Sequence, residues 1–228
     1  MSKPLAMARR AYQRAVPSAV RDAQFVKQLK SKILSHDTIY DAEFFDLREP
    51  AVLLSAGHIA ASIMTEFAPA RVLDVGCGSG SLLLALRDRG CGSVRGLEYA
   101  EAGLAFCRER GLDVAKFDLE HDSFELDDQV DVVVSLEVAE HLPESAAERY
   151  VDLVAGAAPV AVFSAAPPGQ EGADHINLQP PAYWHAKFEQ RGFTLDPATT
   201  TRFTGDWAAS GEVQDWYCTN LMIFRRDR

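Results

Sequence analysis

The stretch Arg71-Val-Leu-Asp-Val-Gly-Cys-Gly-Ser-Gly80 constrains this chain more than any other segment. Val72, Leu73 and Val75 give the apolar, β-branched run of a strand covered on both faces. Gly76, Gly78 and Gly80 then allow a tight turn in which the backbone meets a ligand with no Cβ in the way. The helix-forming Ser81-Leu-Leu-Leu-Ala-Leu-Arg-Asp-Arg follows, and its unpaired N-terminal amides point toward whatever the loop holds. Strand, glycine turn and helix make a nucleotide-type site. The spacing Asp74-x-Gly76-x-Gly78-x-Gly80 is neither the G-x-G-x-x-G of a dinucleotide fold nor a phosphate loop with Gly-Lys-Ser/Thr. An acidic residue at the strand end suits a cationic ligand. On this loop alone, a glycine turn that binds nothing stays open.

A chain of 228 residues can bury the core of one large domain. With 47% hydrophobic and 25% charged residues, and no uninterrupted apolar stretch long enough to span a bilayer, it reads as a soluble globular protein without membrane contact. Cys77, Cys91, Cys107 and Cys218 form no C-x-x-C pair, which argues against a zinc ribbon or a disulfide framework and for reduced thiols in the cytoplasm. Charge is uneven: residues 1–35 carry eight Lys or Arg against Asp22 alone, a net of +7, while the whole chain stands at −10, which leaves −17 on the rest. A body this acidic repels a polyanion, so nucleic acid is disfavoured as a partner and a small molecule favoured. The basic arm has the composition of a transit peptide. However, Phe25, Leu29 and Ile33 recur at helical spacing and fit a helix that docks on the domain as a cap.

From Arg71 onward, short apolar runs alternate with helical patterns, the signature of β-α-β units. The pattern places strands over 71–75, 94–98, 113–117, 130–135 and 159–165, with helices over 80–89, 100–110 and 143–156. Residues 180–192 start with prolines and stop at a glycine, as a further helix would. Two more strands are expected over 193–201 and 217–225, joined by a loop with Gly205, Trp207 and Gly211 long enough to be functional. Upstream, Asp41 to Arg48 and the apolar stretch through Met64 fit an exposed segment followed by a packed helix. Tyr40, Phe44 and Phe45 either close over a ligand or anchor this cap to the core. The division this implies is a helical cap or arm over 1–66 and a cofactor-binding domain over 67–228, together one structural unit.

The D-x-G-x-G-x-G loop resembles that of class I S-adenosylmethionine-dependent methyltransferases. The resemblance covers about residues 68–228 and includes Ser135-Leu-Glu-Val-Ala-Glu-His141, Phe163-Ser-Ala-Ala-Pro-Pro-Gly-Gln170, His175-Ile-Asn177 and Trp216-Tyr217. Within that family it is similar to bacterial members found with polysaccharide and secondary-metabolite pathways. It implies an α/β, Rossmann-like fold: a seven-stranded, mostly parallel sheet with an antiparallel last strand, helices on both faces and an N-terminal helical cap. It also implies S-adenosylmethionine as cofactor, with Asp74, Gly76, Cys77, Gly78 and Gly80 forming its loop. Glu98 ends the second strand 18 residues after Gly80, where a carboxylate can accept from both hydroxyls of a ribose, with Tyr99 beside it. Asp118 matches the family's acid that meets the adenine amino group, and Leu119 would supply apolar contact; alternatively Asp118 caps the next turn. By the same resemblance Ser135, Leu136 and Glu137 line the methionine and sulfonium end, and His141 faces the transferred methyl.

Methyl transfer from a sulfonium is an in-line displacement that needs alignment and, for a hydroxyl acceptor, removal of a proton. A histidine near neutrality serves as base. His141 and His175 both follow parallel strands at their carboxyl ends, where such sheets bind ligands; His36, His58, His121 and His185 do not. Glu137 is a further candidate catalytic residue. Glu137, Glu140, His141 and His175 together could ligate Mg, Mn or Zn, and Glu-x-x-Glu-His resembles segments of metal-assisted methyltransferases of small RNA ends and quinone precursors. Trp184, Trp207, Trp216 and Tyr183 suit stacking on an acceptor and equally suit a core. The chain is therefore expected to methylate a hydroxyl, in preference to an amine, of a sugar or natural product, with a homodimer as an open possibility. Two alternatives remain: a metal-assisted enzyme for an RNA end or quinone-like precursor, and a methyltransferase-like binding protein without activity.

Overall fold

A computed structural model describes residues 39–123 and 129–227. The basic arm, with Phe25, Leu29 and Ile33, lies outside them. Helix α1 (Ala42–Phe67) is capped by Asp41, whose carboxylate accepts from the Phe44 amide at 3.0 Å. It leads into β1 (Arg71–Val75), α2 (Ser81–Asp88), β2 (Ser93–Glu98), α3 (Glu101–Glu109), β3 (Asp113–Lys116) and β4 (Val132–Leu136). Two short 3-10 turns, Ala139–His141 and Glu144–Ala146, precede α4 (Ala147–Ala157) and β5 (Val160–Ser164). The remainder is α5 (Pro181–Glu189), β6 (Phe193–Leu195), α6 (Pro197–Ser210), α7 (Asp215–Asn220) and β7 (Leu221–Arg226).

The strands form one seven-stranded sheet in the order β3-β2-β1-β4-β5-β7-β6. Only β7 runs antiparallel, between β5 and β6. This is the mostly parallel sheet with an antiparallel last strand that the alternating pattern and the resemblance imply. After β1 the chain builds outward through β2 and β3, then returns to place β4 on the other side of β1. The carboxyl ends of β1 and β4 therefore splay into a crevice where a ligand can enter.

Two cores fill the faces, following the period-2 alternation of the strands. Leu73, Val75, Val133 and Phe163 face α4 and α5, against Tyr150, Trp184 and Phe188. Val72, Val132, Val134 and Ile223 face α1, α2 and α6, against Ile59, Ile63, Leu86, Phe203 and Trp207. Each of these large side chains contributes roughly 1.5–3 kcal/mol by leaving water.

Four expectations change. Residues 193–201 do not form one strand: β6 stops at Leu195 because Asp196 caps α6, its carboxylate accepting from the Thr199 amide at 3.0 Å, and Pro197 opens the helix. The functional loop expected around Gly205 and Trp207 is thus helix α6, with the buried Trp207 donating to Ser62 Oγ at 2.9 Å and Gly211 as the left-handed cap. Residues 215–220 likewise coil into α7 before β7 begins. Finally, α1 is long and apolar enough to cross a membrane by length and composition, with mean hydropathy 1.2 over its best window. No such stretch was expected; here its Ala56, Ile59, Ala60 and Ile63 are buried in the core.

Candidate active site

A cavity of about 550 Å³ lies over the carboxyl ends of β1, β2 and β4, roofed by the first turns of α1. Its floor is the glycine loop. The amides of Gly76 and Cys77 both donate to the Leu97 carbonyl, at 2.8 and 3.1 Å, which folds the loop across β2. Glu98 then fixes its rim: one carboxylate oxygen accepts from Gly78 N at 2.8 Å, the other from Tyr99 N at 2.9 Å and Ala100 N at 2.7 Å. Carboxylate oxygens have further lone pairs, so Glu98 can hold the loop and still receive hydroxyl donors from the cavity. Gly80 has φ 76°, and a Cβ there would come within 2.5 Å of Leu112 and 2.9 Å of Cys107 Sγ. It serves the packing of α3 under the loop and does not line the cavity, unlike Gly76, Cys77 and Gly78. Gly103 of α3 belongs to the same device: a Cβ would sit 2.8 Å from the Gly78 carbonyl.

Asp74 is buried at the end of β1, and burial, reinforced by the charge of Glu98, pushes its carboxyl up to about 7. A group so poised gains from a cation brought beside it. Tyr99, Asp118 and Leu119 line the far end of the cavity. The Asp118 carboxylate also accepts from the Glu120 amide at 2.9 Å and meets His121 Nδ1 at 3.0 Å, so it caps its own turn while facing the cavity.

Beyond β4 the expected residues part company. Leu136 and Glu137 line the cavity, but Ser135 is turned away from it. Its hydroxyl donates to the Val75 carbonyl at 2.7 Å and accepts from Tyr150 at 2.6 Å, because it shares the strand face of Val133 under α4. Glu137 adopts φ 56°, a sparsely populated conformation for a residue with a side chain. Its carboxylate is engaged by Ser164 Oγ at 2.8 Å, Gln170 Nε2 at 2.9 Å and Asn220 Nδ2 at 3.0 Å. Burial nonetheless pushes its pKa up.

The expected metal set contracts for the same reason. Glu140, His141 and His175 offer ligand atoms within 4.8 Å of one another, whereas Glu137 is held toward Asn220 and stands outside that group. Glu140 is fully buried, and among the described residues neither of its carboxylate oxygens has a hydrogen-bond partner. Burial, and then the Glu137 charge, raise its pKa well above the ordinary carboxylate value. An orphaned buried carboxyl facing two imidazoles is satisfied by a proton or a divalent cation. His141 Nε2 lies 4.0 Å from Glu140 Oε1, and His141 Nδ1 lies 2.9 Å from the Tyr40 hydroxyl. The Glu140 carbonyl accepts from the amides of Ile176 and Asn177, which pins the loop carrying His175. His175 lies against Gly172, where a Cβ would be 2.0 Å from Nε2, so any larger residue there must displace the His175 ring.

Arg48, Glu49, Gln170 and Tyr217 also line the cavity; none was given a site role from the sequence, although Gln170 and Tyr217 close two of the motifs quoted above. For Arg48 and Glu49 the available signal was helical register: they follow Phe44 and Phe45 by four positions and so share their face. Trp216, 41% exposed, stands at the cavity, while Trp184 and Trp207 are core residues and cannot stack on an acceptor. Tyr183 packs at the edge of the core under Lys187.

Sheet order, glycine loop, strand-end acid and Glu98 together define a fold class. It is the fold of class I S-adenosylmethionine-dependent methyltransferases. Residues 60–147 match the family model described as methionine biosynthesis protein MetW. A ubiquinone biosynthesis O-methyltransferase of Pseudomonas aeruginosa is 38% identical over 127 residues, covering 51% of this chain and 48% of that protein. The namesake of Neisseria meningitidis is 36% identical over 84 residues, 34% and 35% of the two chains. The chain thus spans about half, or less, of the length of these curated relatives. Among solved structures, the sugar N-methyltransferase of a Streptoalloteichus species aligns with TM-score 0.61 at 17% identity, over 82% of this chain and 92% of that one. Magnesium protoporphyrin IX methyltransferase from Synechocystis PCC 6803 with bound SAH aligns at 0.57 and 17%, over 78% and 84%. These two likenesses are of fold.

Proposed function

We propose that this protein binds S-adenosylmethionine and transfers its methyl group to a hydroxyl of a small molecule, with His141 as general base. One observation carries the reading: a single cavity joins the glycine loop, Asp74 and Glu98 at one end to His141 and His175 at the other. The residues fit the cofactor. Asp74, held near 7 by burial, complements a cationic ligand, and Arg48 in the roof complements an amino acid carboxylate. Glu98 receives ribose hydroxyls, and Asp118 with Leu119 meets adenine. When bound, the cofactor supplies an electrophilic methyl on a positively charged sulfur. His141 takes the acceptor's proton as the new bond forms, and the roof of Phe44 and Phe45 excludes competing water. The names of the relatives support a hydroxyl acceptor, and the acidic chain supports a small one. Calorimetry with S-adenosylmethionine, followed by a labelled-methyl screen over sugars and phenols, tests the reading. His141→Ala should cost about 10²–10⁴ in turnover with the cofactor still bound. No binding heat at millimolar cofactor would sink it.

The clustered Glu140, His141 and His175 favour a second reading in which a divalent cation sits between them. Such an ion would lower the pKa of the acceptor hydroxyl and orient it, as suits a quinone-like phenol. Its signature is a rise in melting temperature on adding Mn or Zn to chelator-treated protein, lost in Glu140→Gln. Full activity in excess chelator overturns it.

A further inference from the structure

His141 touches two groups through one nitrogen. Nδ1 is 2.9 Å from the Tyr40 hydroxyl and 3.2 Å from the main-chain carbonyl of Asp174. A carbonyl only accepts, so the second contact is a hydrogen bond only if Nδ1 carries the proton. With the proton there, the Tyr40 oxygen accepts from the same N–H. The opposite tautomer would set the Nδ1 lone pair against the Asp174 oxygen at 3.2 Å. Which ring nitrogen is protonated follows from the bond the other one makes.

We infer that Tyr40 is a positioning residue: with the Asp174 carbonyl it holds His141 in the tautomer whose free lone pair is on Nε2, the nitrogen beside Glu140. The importance of Nε2 rests on the preceding assignment of His141 as base or ligand, both of which require that lone pair. Ring geometry supports a fixed imidazole. Tyr40 meets His141 edge-on at 5.7 Å between centroids, and His175 closes the other side at 5.0 Å. Tyr40 itself is braced by an edge contact with Phe44 at 4.9 Å, so the first turn of α1 delivers the hydroxyl. Burial, then the charges of Asp174, Glu140 and Glu98, keep Tyr40 a neutral phenol, which hydrogen-bonds without adding a charge.

The test needs no knowledge of the acceptor. Long-range proton–nitrogen NMR on full-length protein with labelled histidine, at a pH above the imidazole titration, reads the tautomer directly. The wild type should show His141 Nδ1 protonated and Nε2 bare. In Tyr40→Phe, which keeps the ring, the two nitrogen shifts should converge as the other tautomer appears. Turnover on any acceptor found by the screen should fall about 10-fold or more, as when an orienting partner of a functional histidine is lost, with cofactor affinity unchanged. A wild-type spectrum showing Nε2 protonated, or identical shifts in Tyr40→Phe, overturns the inference. Were the cofactor to give no heat while the shifts behave as stated, the methyl-transfer reading would fall and the assignment of Tyr40 to the His141 tautomer would stand.

Discussion

At the scale of single residues the site is held in a state that costs stability. Asp74 titrates near 7 in the folded chain against an ordinary 3.8, so between those values the folded state keeps a proton that the unfolded chain has lost. Stability from this group therefore falls as pH rises from about 4 to 7 and stays low above that. Asp74→Asn should gain on the order of 2–4 kcal/mol at pH 8 and almost nothing near pH 4, while binding the cofactor far more weakly. Urea unfolding at the two pH values, with calorimetry beside it, checks both halves; a variant less stable than wild type at pH 8 would contradict the sign. Asp74 and Glu98 were legible because each sits at a strand end a fixed distance along the chain. Ser135 was misplaced although its parity was readable: two residues after Val133, it had to share that residue's buried face. Gly103 was not legible, since its role is set by where α3 lands on the loop.

At the scale of elements, α1 is two things in one helix. Residues from Ser55 onward supply buried positions of the core, while Phe44, Phe45, Arg48 and Glu49 roof the cavity. Pro50 divides them, removing one helical hydrogen bond at the boundary. Glu49 latches the roof down: it accepts from Ser81 at the start of α2 at 2.7 Å and pairs with Arg110, which also donates to the Ser79 carbonyl at 2.8 Å. The cavity lies directly under this roof. Pro50→Ala should stiffen the helix across the boundary, slowing cofactor association and release together, each several-fold, with the dissociation constant little changed; stopped-flow fluorescence of Trp216 reports it. Release alone accelerating would point instead to loss of roof contacts. From the sequence, exposed segment and packed helix did not read as one element, because proline reads as a stop. The same bias toward local pattern misread residues 196–210. There Asp196-Pro197 is a cap and first turn that the β-branched Thr199-Thr-Thr201 obscured.

At the scale of the molecule, the alternation of short apolar runs with helices was enough to fix a parallel α/β sheet, because few topologies satisfy right-handed crossovers. The position of β7 between β5 and β6 was not derivable that way, as it depends on long-range pairing. That topology brings together side chains from α1, the glycine loop, β2, β4 and the loop after β5, so the cavity is assembled from both halves of the sheet. A ligand filling it binds only the fully folded chain and should stabilise it as a unit. Saturation at about 100 times the dissociation constant is worth about 2.7 kcal/mol, which for a chain of this size raises the melting temperature by roughly 5–10 °C. The shift should keep growing with the logarithm of cofactor concentration, since further occupancy keeps drawing on the unfolded population. Differential scanning fluorimetry across three decades of S-adenosylmethionine tests this, with Glu98→Ala as the comparison. In that variant the curve should move to higher concentrations by the factor lost in affinity. A melt with two transitions, of which only one responds to cofactor, would mean that α1 and its roof unfold apart from the sheet, and that the cavity is not the cooperative product of the whole fold.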